Sequence, residues 1–363
     1  METIDSAGKK IRVMIVEDSP VVRELLRHLI GQDPRLEVVA AVASAEEALQ
    51  RLHEISPDVV SMDIRLPGMN GLEATQRIMR DKPTPIVVVA GSVAGDELRI
   101  SSNALRIGAL SVVEKPVGVT HRDYQTMAER LCTQLAVMSQ VKVIRQRLHK
   151  TARVEAARSS ELPRDWGDRS RPFEMLGIVA STGGPVALQK LLGGLGPSFP
   201  LPIALVQHMA DAFLDSFADW LESTSPLPVK IAQAGETPLA GMVYVAPAER
   251  HLTLQRGRWH LSADEPVSSQ RPSGTVLFRS LAQNLGAGAI GVLLTGMGED
   301  GAAGLKSLHD AGSYTIAEDK STAVVYGMPA VAVRLGAVCE SLPLDKIACR
   351  LEQLVSISKE VRR

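Results

Sequence analysis

Short apolar runs alternate with amphipathic stretches twice along this chain, and the residues that follow those runs are unusually rich in chemistry. In the first half the strand candidates are Ile11–Glu17, Val38–Val42, Val59–Met62, Ile86–Val89 and Ser111–Glu114, with helical stretches such as Val21–Ile30 and Ala45–His53 between them. Continuous apolar strands separated by helices make a parallel sheet covered on both faces. A second alternation runs from Met175 to about Val355, with strand candidates Leu176–Ala180, Ile203–Gln207, Met242–Val245, Ala289–Thr295 and Tyr314–Ala317. Between the two, Asp123–His149 reads as one helix with a stripe of Leu131, Leu135, Met138 and Leu148. Thr151–Pro172 then carries Arg, Ser, Glu and Asp with almost no aliphatic side chains, as an exposed linker does. The expected architecture is α/β: two doubly wound parallel-sheet domains, 1–120 and 173–363, joined by 121–172, helical and then flexible.

Composition removes several classes. A length of 363 residues suits two domains, and a hydrophobic fraction of 45% supplies two cores. A formal net charge of −1 is not that of a nucleic-acid binder held by bulk charge. Cys132, Cys339 and Cys349 show no CxxC spacing, which argues against a disulfide framework or a zinc site. No apolar run reaches the roughly 18 residues that span a bilayer, and Met1–Lys10 lacks the apolar core of a signal peptide. The expectation is a soluble, cytoplasmic monomer without membrane insertion.

In the first half, acids sit at strand ends. Glu17 and Asp18 close the first strand and Asp63 the third; Lys115 follows the fifth. In a doubly wound sheet these ends gather near the topological switch point. Clustered carboxylates need a cation to stay ionised together, and their hard oxygens suit Mg²⁺. Asp63 can then attack a phosphoryl donor, with Lys115 neutralising a phosphoryl oxygen. Glu17-Asp18, Asp63 with Pro67-Gly-Met-Asn-Gly71 behind it, and Lys115-Pro116 resemble a bacterial response-regulator receiver domain over residues 11–117. The resemblance implies a flavodoxin-like fold and Asp63 as phospho-acceptor. It further implies Mg²⁺ held by Glu17, Asp18, Asp63 and the Arg65 carbonyl, and a chemotaxis histidine kinase as donor. One position departs: receivers usually end strand four in Ser or Thr, and counting from Pro85 that position is Ala90, with Ser92 two residues on.

In the second half, three strands run into polar turns: Ser181 in Ala180-Ser-Thr-Gly-Gly-Pro185, His208 in Gln207-His-Met209, and Asp300 in Thr295-Gly-Met-Gly-Glu-Asp-Gly301. Emerging at one sheet edge, they can form a nucleophile, a base and an orienting carboxylate, with N–H groups near Thr182 and Met297 as an oxyanion hole. Each has a plainer role: Ser181 or Asp300 as a helix cap, His208 as a hydrogen-bonded structural residue. Gly296-Met-Gly-Glu-Asp-Gly301 also fits G-x-G-x-x-G, with Glu318-Asp319 near the spacing used for ribose. That makes a non-catalytic or dinucleotide-binding output domain the alternative. Two carboxylates in a turn meant for pyrophosphate oppose it. The order Ser, His, Asp, and Val179 at an elbow glycine position, exclude a standard α/β-hydrolase.

These segments, with Tyr244-Val-Ala-Pro247, Arg250-His-Leu252, Arg271-Pro-Ser273 and Leu277-Phe278, resemble the chemotaxis protein-glutamate methylesterase (CheB) catalytic domain over about 175–355. Ala210 and Glu299 stand where that family often has Pro and Asn. The resemblance implies a Rossmann-like three-layer domain that hydrolyses glutamate methyl esters, and deamidates glutamines, on methyl-accepting chemoreceptors. It places Ser181, His208 and Asp300 in a triad needing no metal, with His251 as a substrate-side or structural residue held in reserve for the base.

Overall fold

The computed structural model describes residues 9–91, 111–116, 124–141 and 172–360, and these divide into two compact units, 1–148 and 149–363. The expected linker 151–171, the N-terminal segment 1–8, Ser92 and Leu148 lie outside the described residues.

In the first unit, β1 (Ile11–Val16), β2 (Leu36–Val42), β3 (Val59–Asp63), β4 (Ile86–Ala90) and β5 (Ser111–Glu114) form one parallel sheet in the order β2-β1-β3-β4-β5. Strands β3 and β4 are buried throughout, as their continuous apolar sequences require. Helices α1 (Pro20–Gln32), α2 (Ala45–Ile55) and α3 (Gly71–Asp81) start where side chains cap them. Ser19, Ser44 and Asn70 accept from the N–H groups of Val22, Glu47 and Glu73. α4 (Tyr124–Met138) packs against β3, β4 and β5, and its Leu131, Leu135 and Met138 are fully buried. The apolar stripe read in the sequence is therefore the face of a helix that covers this sheet. A stripe of that width has to be buried somewhere.

In the second unit, β6 (Met175–Ala180), β7 (Ile203–Gln207), β8 (Val229–Ile231), β9 (Val243–Val245), β12 (Ala289–Leu293), β13 (Tyr314–Glu318) and β14 (Glu340–Leu342) form a parallel sheet in the order β14-β13-β12-β6-β7-β9-β8. One face packs Leu176, Ile178 and Ala180 against Leu188 of α5 (Gly184–Gly193), Phe217 of α6 (Leu214–Thr224) and Leu351 of α10 (Leu344–Glu360). The other packs Val179 and Val206 against Phe278 of α7 (Gly274–Leu285) and Leu305 of α8 (Ala302–Asp310). The alternation of side chains along β6 thus feeds two cores, giving three layers. An antiparallel hairpin, β10 (His251–Gln255) with β11 (Arg258–Ser262), and a short helix α9 (Met328–Arg334) complete the unit.

Strand β6 leads to β7 on one side, while its other neighbour, β12, leads away to β13. The crevice between β6 and β12 is the topological switch point, where open α/β sheets bind ligands. Both folds agree with the doubly wound α/β expectation.

Candidate active site and phospho-acceptor cluster

In the first unit, one ligand oxygen each from Glu17, Asp18 and Asp63 lie within 4.8 Å of one another, so this cluster can hold a metal ion. Lys115 Nζ bridges Glu17 Oε2 at 2.9 Å and Asp63 Oδ2 at 2.8 Å. Burial pushes the Glu17 carboxyl up despite Lys115. Burial also works to lower the Lys115 ammonium, but its bonds to Asp63 and Glu17 outweigh that and hold it above its ordinary value. The Arg65 N–H reaches Asp63 Oδ1 at 3.3 Å, so the turn after β3 wraps the carboxylate. Three carboxylates and a nearby main chain form a hard oxygen donor set that fits Mg²⁺. Strand register pairs Asp63 with Val89 and puts Ala90, fully buried, one residue further toward the cluster. The place where a hydroxyl is usual holds a methyl group.

In the second unit, Ser181, His208 and Asp300 all follow strand ends at the switch point. Ser181 leaves β6 through a turn closed by the Gly184 N–H to its carbonyl at 2.8 Å. Gly183 takes a left-handed φ of 79° there, which a side chain would resist. The Ser181 N–H donates to the Thr295 carbonyl at 3.0 Å, and a Cβ on Gly296 would meet Ser181 Cβ at 2.7 Å. Only glycine at 296 lets the β12 turn lie against the serine. Thr295 Oγ1 donates to the Thr182 carbonyl at 2.9 Å, a second staple across the same crevice.

The His208 N–H donates to the Ala180 carbonyl at 3.0 Å, so the imidazole grows from a backbone locked to the residue before Ser181. Buried Gln207 reinforces this, its Nε2 donating to the Ser181 and His208 carbonyls at 2.9 Å each. His208 Nε2 meets Asp300 Oδ2 at 2.9 Å. Asp300 also accepts from the Gly274 N–H at 2.6 Å, the Thr275 N–H at 3.1 Å and the Ser273 hydroxyl at 2.7 Å. The carboxylate therefore sits on the N-terminus of α7, where four donors and the helix dipole favour negative charge. Burial alone would raise its pKa; the bonds to His208, Ser273 and Gly274 prevail and hold it at about 2. An ionised Asp300 requires the proton on Nε2, which leaves Nδ1 as the basic nitrogen. Among the described residues no hydrogen bond joins the Ser181 hydroxyl to His208. Resting nucleophile–base contacts are often loose and tighten only when substrate arrives.

Thr182 and Met297 lie in the turns that flank Ser181, the first buried and the second 46% exposed. His251 is buried, with Nδ1 accepting from the Ser273 N–H and Nε2 donating to the Glu265 carbonyl, both at 3.1 Å. Both ring nitrogens are occupied, which leaves this histidine no proton to move. Glu318 is fully buried; its Oε2 accepts from the Thr295 N–H and its Oε1 from the Thr322 hydroxyl, while burial pushes the carboxyl up. It anchors the β12 turn from inside the core, where a ribose does not reach it, which weakens the support for a dinucleotide. Gln207, Ser273 and Thr295 were not singled out in the sequence as site residues.

Comparison with known proteins gives the family. The family model for CheB methylesterase matches residues 176–351, and that for the response regulator receiver domain matches 13–122. The protein-glutamate methylesterase/protein-glutamine glutaminase 2 of Paramagnetospirillum magneticum is 57% identical over 347 residues, covering 95% of this chain and 98% of that protein. The chain belongs to the CheB methylesterase family. The protein-glutamate methylesterase/protein-glutamine glutaminase of Nitrosospira multiformis is 43% identical, over 97% of this chain and 99% of its own. The crystal structure of the Thermotoga maritima CheB methylesterase catalytic domain is 39% identical and covers 50% of this chain and 99% of that one, with a TM-score of 0.49. Among the described residues of this chain, no helix is long and apolar enough to cross a membrane.

Proposed function

We propose that the chain is a phosphorylation-regulated protein-glutamate methylesterase that also deamidates glutamine, acting in the cytoplasm, as a monomer, on methyl-accepting chemoreceptors. The observation that carries the reading is the Asp300–His208 pair, set at the β6/β12 switch point beside Ser181. His208 Nδ1 takes the Ser181 proton as Oγ attacks the γ-carbonyl of a methylated glutamate. The oxyanion meets the N–H groups of the turns at Thr182 and Met297 and the N-terminal end of α5. His208 returns the proton to the leaving methanol, then activates the water that frees the glutamate. A glutamine substrate follows the same course with ammonia leaving. Nothing in this sequence of steps calls on a metal in the second domain.

Control lies in the first domain. Asp63 accepts a phosphoryl group from a chemotaxis histidine kinase, and Lys115 neutralises one of its oxygens. Mg²⁺ held by Glu17, Asp18, Asp63 and the Arg65 carbonyl would shield the incoming charge. In this reading the receiver comprises 1–120 with α4 covering its sheet, the rest of 121–172 connects it, and 173–363 is the catalytic domain. The unphosphorylated receiver restrains the esterase, and a phosphoryl group on Asp63 relieves that restraint. Deleting residues 1–172 should therefore raise the rate of methanol release from a methylated receptor above that of the unphosphorylated full chain. A truncated protein that is folded and no faster would refute the restraining role.

A further inference from the structure

Behind the Asp300–His208 pair runs a second line of buried polar groups. The Glu265 carbonyl accepts from His251 Nε2, and His251 Nδ1 accepts from the Ser273 N–H, both at 3.1 Å. The Ser273 hydroxyl then donates to Asp300 Oδ1 at 2.7 Å. Ser273 is fully buried and His251 is 1% exposed, so water does not compete for these bonds. Ser273 is also the N-cap of α7, but its oxygen lies 3.4 Å from the Val276 N–H it would cap. By distance, the hydroxyl is committed to Asp300 more than to the helix. His251 fixes the backbone on which that hydroxyl is mounted, and with both nitrogens bonded its ring has a single tautomer.

A hydroxyl donated to one carboxylate oxygen draws charge away from the other, which is the oxygen facing His208. We propose that Ser273 is a positioning residue for ester hydrolysis: its hydroxyl, aimed by His251, shares the Asp300 charge and so sets how strongly that carboxylate holds the His208 imidazolium. The kinetic consequence rests on the esterase reading above; the effect on the imidazolium does not. The groups facing the pair are the Ser273 hydroxyl, the α7 N–H groups and, behind Ser273, the His251 ring. The neighbouring carboxylates in the chain, Asp211 and Glu299, are exposed.

The full-length chain, Ser273→Ala and Ser273→Thr are compared by two readouts. One is the NMR titration of the His208 ring, identified by its loss in His208→Gln. The other is the pH profile of kcat/KM for methanol release. Without the hydroxyl more charge remains on Asp300 Oδ2 and the imidazolium is stabilised. In Ser273→Ala the His208 midpoint should rise by about 0.5 in pH, and the acid limb of the profile should move with it. Ser273→Thr should restore both. A residue that only caps α7 would lower thermal stability and leave both midpoints in place. Should the alanine variant fail to fold, Ser273→Gly takes its place, because glycine is tolerated at an N-cap. An unmoved or lowered His208 midpoint in a folded variant without the hydroxyl, or an equal rise in Ser273→Thr, would overturn the proposal. A raised midpoint with methanol release that does not depend on Ser181 would leave it standing and sink the esterase reading instead.

Discussion

Replacing Ser181 by alanine should reduce kcat for methanol release by about 10⁴ to 10⁶, leaving only what substrate binding and the oxyanion donors supply. The fold should hardly notice. Among the described residues the Ser181 hydroxyl makes no hydrogen bond, while its N–H and carbonyl are bonded to Thr295, Gly184 and Gln207 and stay so in the variant. The Cβ against Gly296 is retained as well. Melting and denaturant midpoints should shift by no more than about 0.5 kcal/mol, as for a substitution away from any core or cap. Kinetics and thermal melts on the same preparation separate the two effects. If Ser181 served mainly as a helix cap the outcome would reverse, with lost stability and retained activity.

The second large effect concerns Asp300. Four donors converge on its two oxygens, and an asparagine offers one acceptor oxygen and an NH₂ group. In either amide orientation two buried donors face an N–H. Asp300→Asn should therefore cost about 2–4 kcal/mol of stability, although the side chain keeps its size. It should also lower kcat about 10⁴-fold, because an amide N–H facing His208 Nε2 forces the proton onto Nδ1, the nitrogen that must accept from Ser181. The pH dependence of stability distinguishes this from generic damage. The Asp300 pKa is depressed from 3.8 to about 2, so its contribution is complete above 3.8 and disappears as pH falls through about 2. That contribution is on the order of 2 kcal/mol. Urea unfolding of wild type and Asp300→Asn should thus converge across that window. Parallel curves would show that the carboxylate is not held as described.

The sequence was most legible where local pattern and chemistry coincide. β6, β7 and β12 are continuous apolar runs that end in a serine, a histidine and a glycine-rich turn with an aspartate, and parallel topology alone brings those ends to one edge. The receiver acids were readable for the same reason. What escaped depends on contacts across sequence distance or on weak local signals. Strands β8 and β14 are three-residue edge strands, too short for periodicity to show. The β10–β11 hairpin alternates buried and exposed positions but lacks apolar length. Ser273 lies 27 residues from Asp300 in the chain, and only the packing of α7 against the end of β12 joins them. Its sole local sign is a serine ahead of an apolar run, which reads as a cap. The stripe on α4 was visible, but the surface it covers was not, because no residue in a helix announces its tertiary partner. Ala90 shows the opposite case: register confirms a departure that the sequence already displayed, a methyl where the switch normally bears a hydroxyl.

A phosphoryl group on Asp63 should control ester hydrolysis at Ser181 within one chain. Methanol release from methylated chemoreceptors, measured with and without a small-molecule phosphodonor and Mg²⁺, tests it in wild type, Asp63→Ala and Ser181→Ala side by side. Wild type and Asp63→Ala should show a slow basal rate, the phosphodonor should accelerate wild type alone, and Ser181→Ala should show release reduced by about 10⁴ or more under either condition. Release undiminished in Ser181→Ala, or acceleration that survives in Asp63→Ala, would contradict that control.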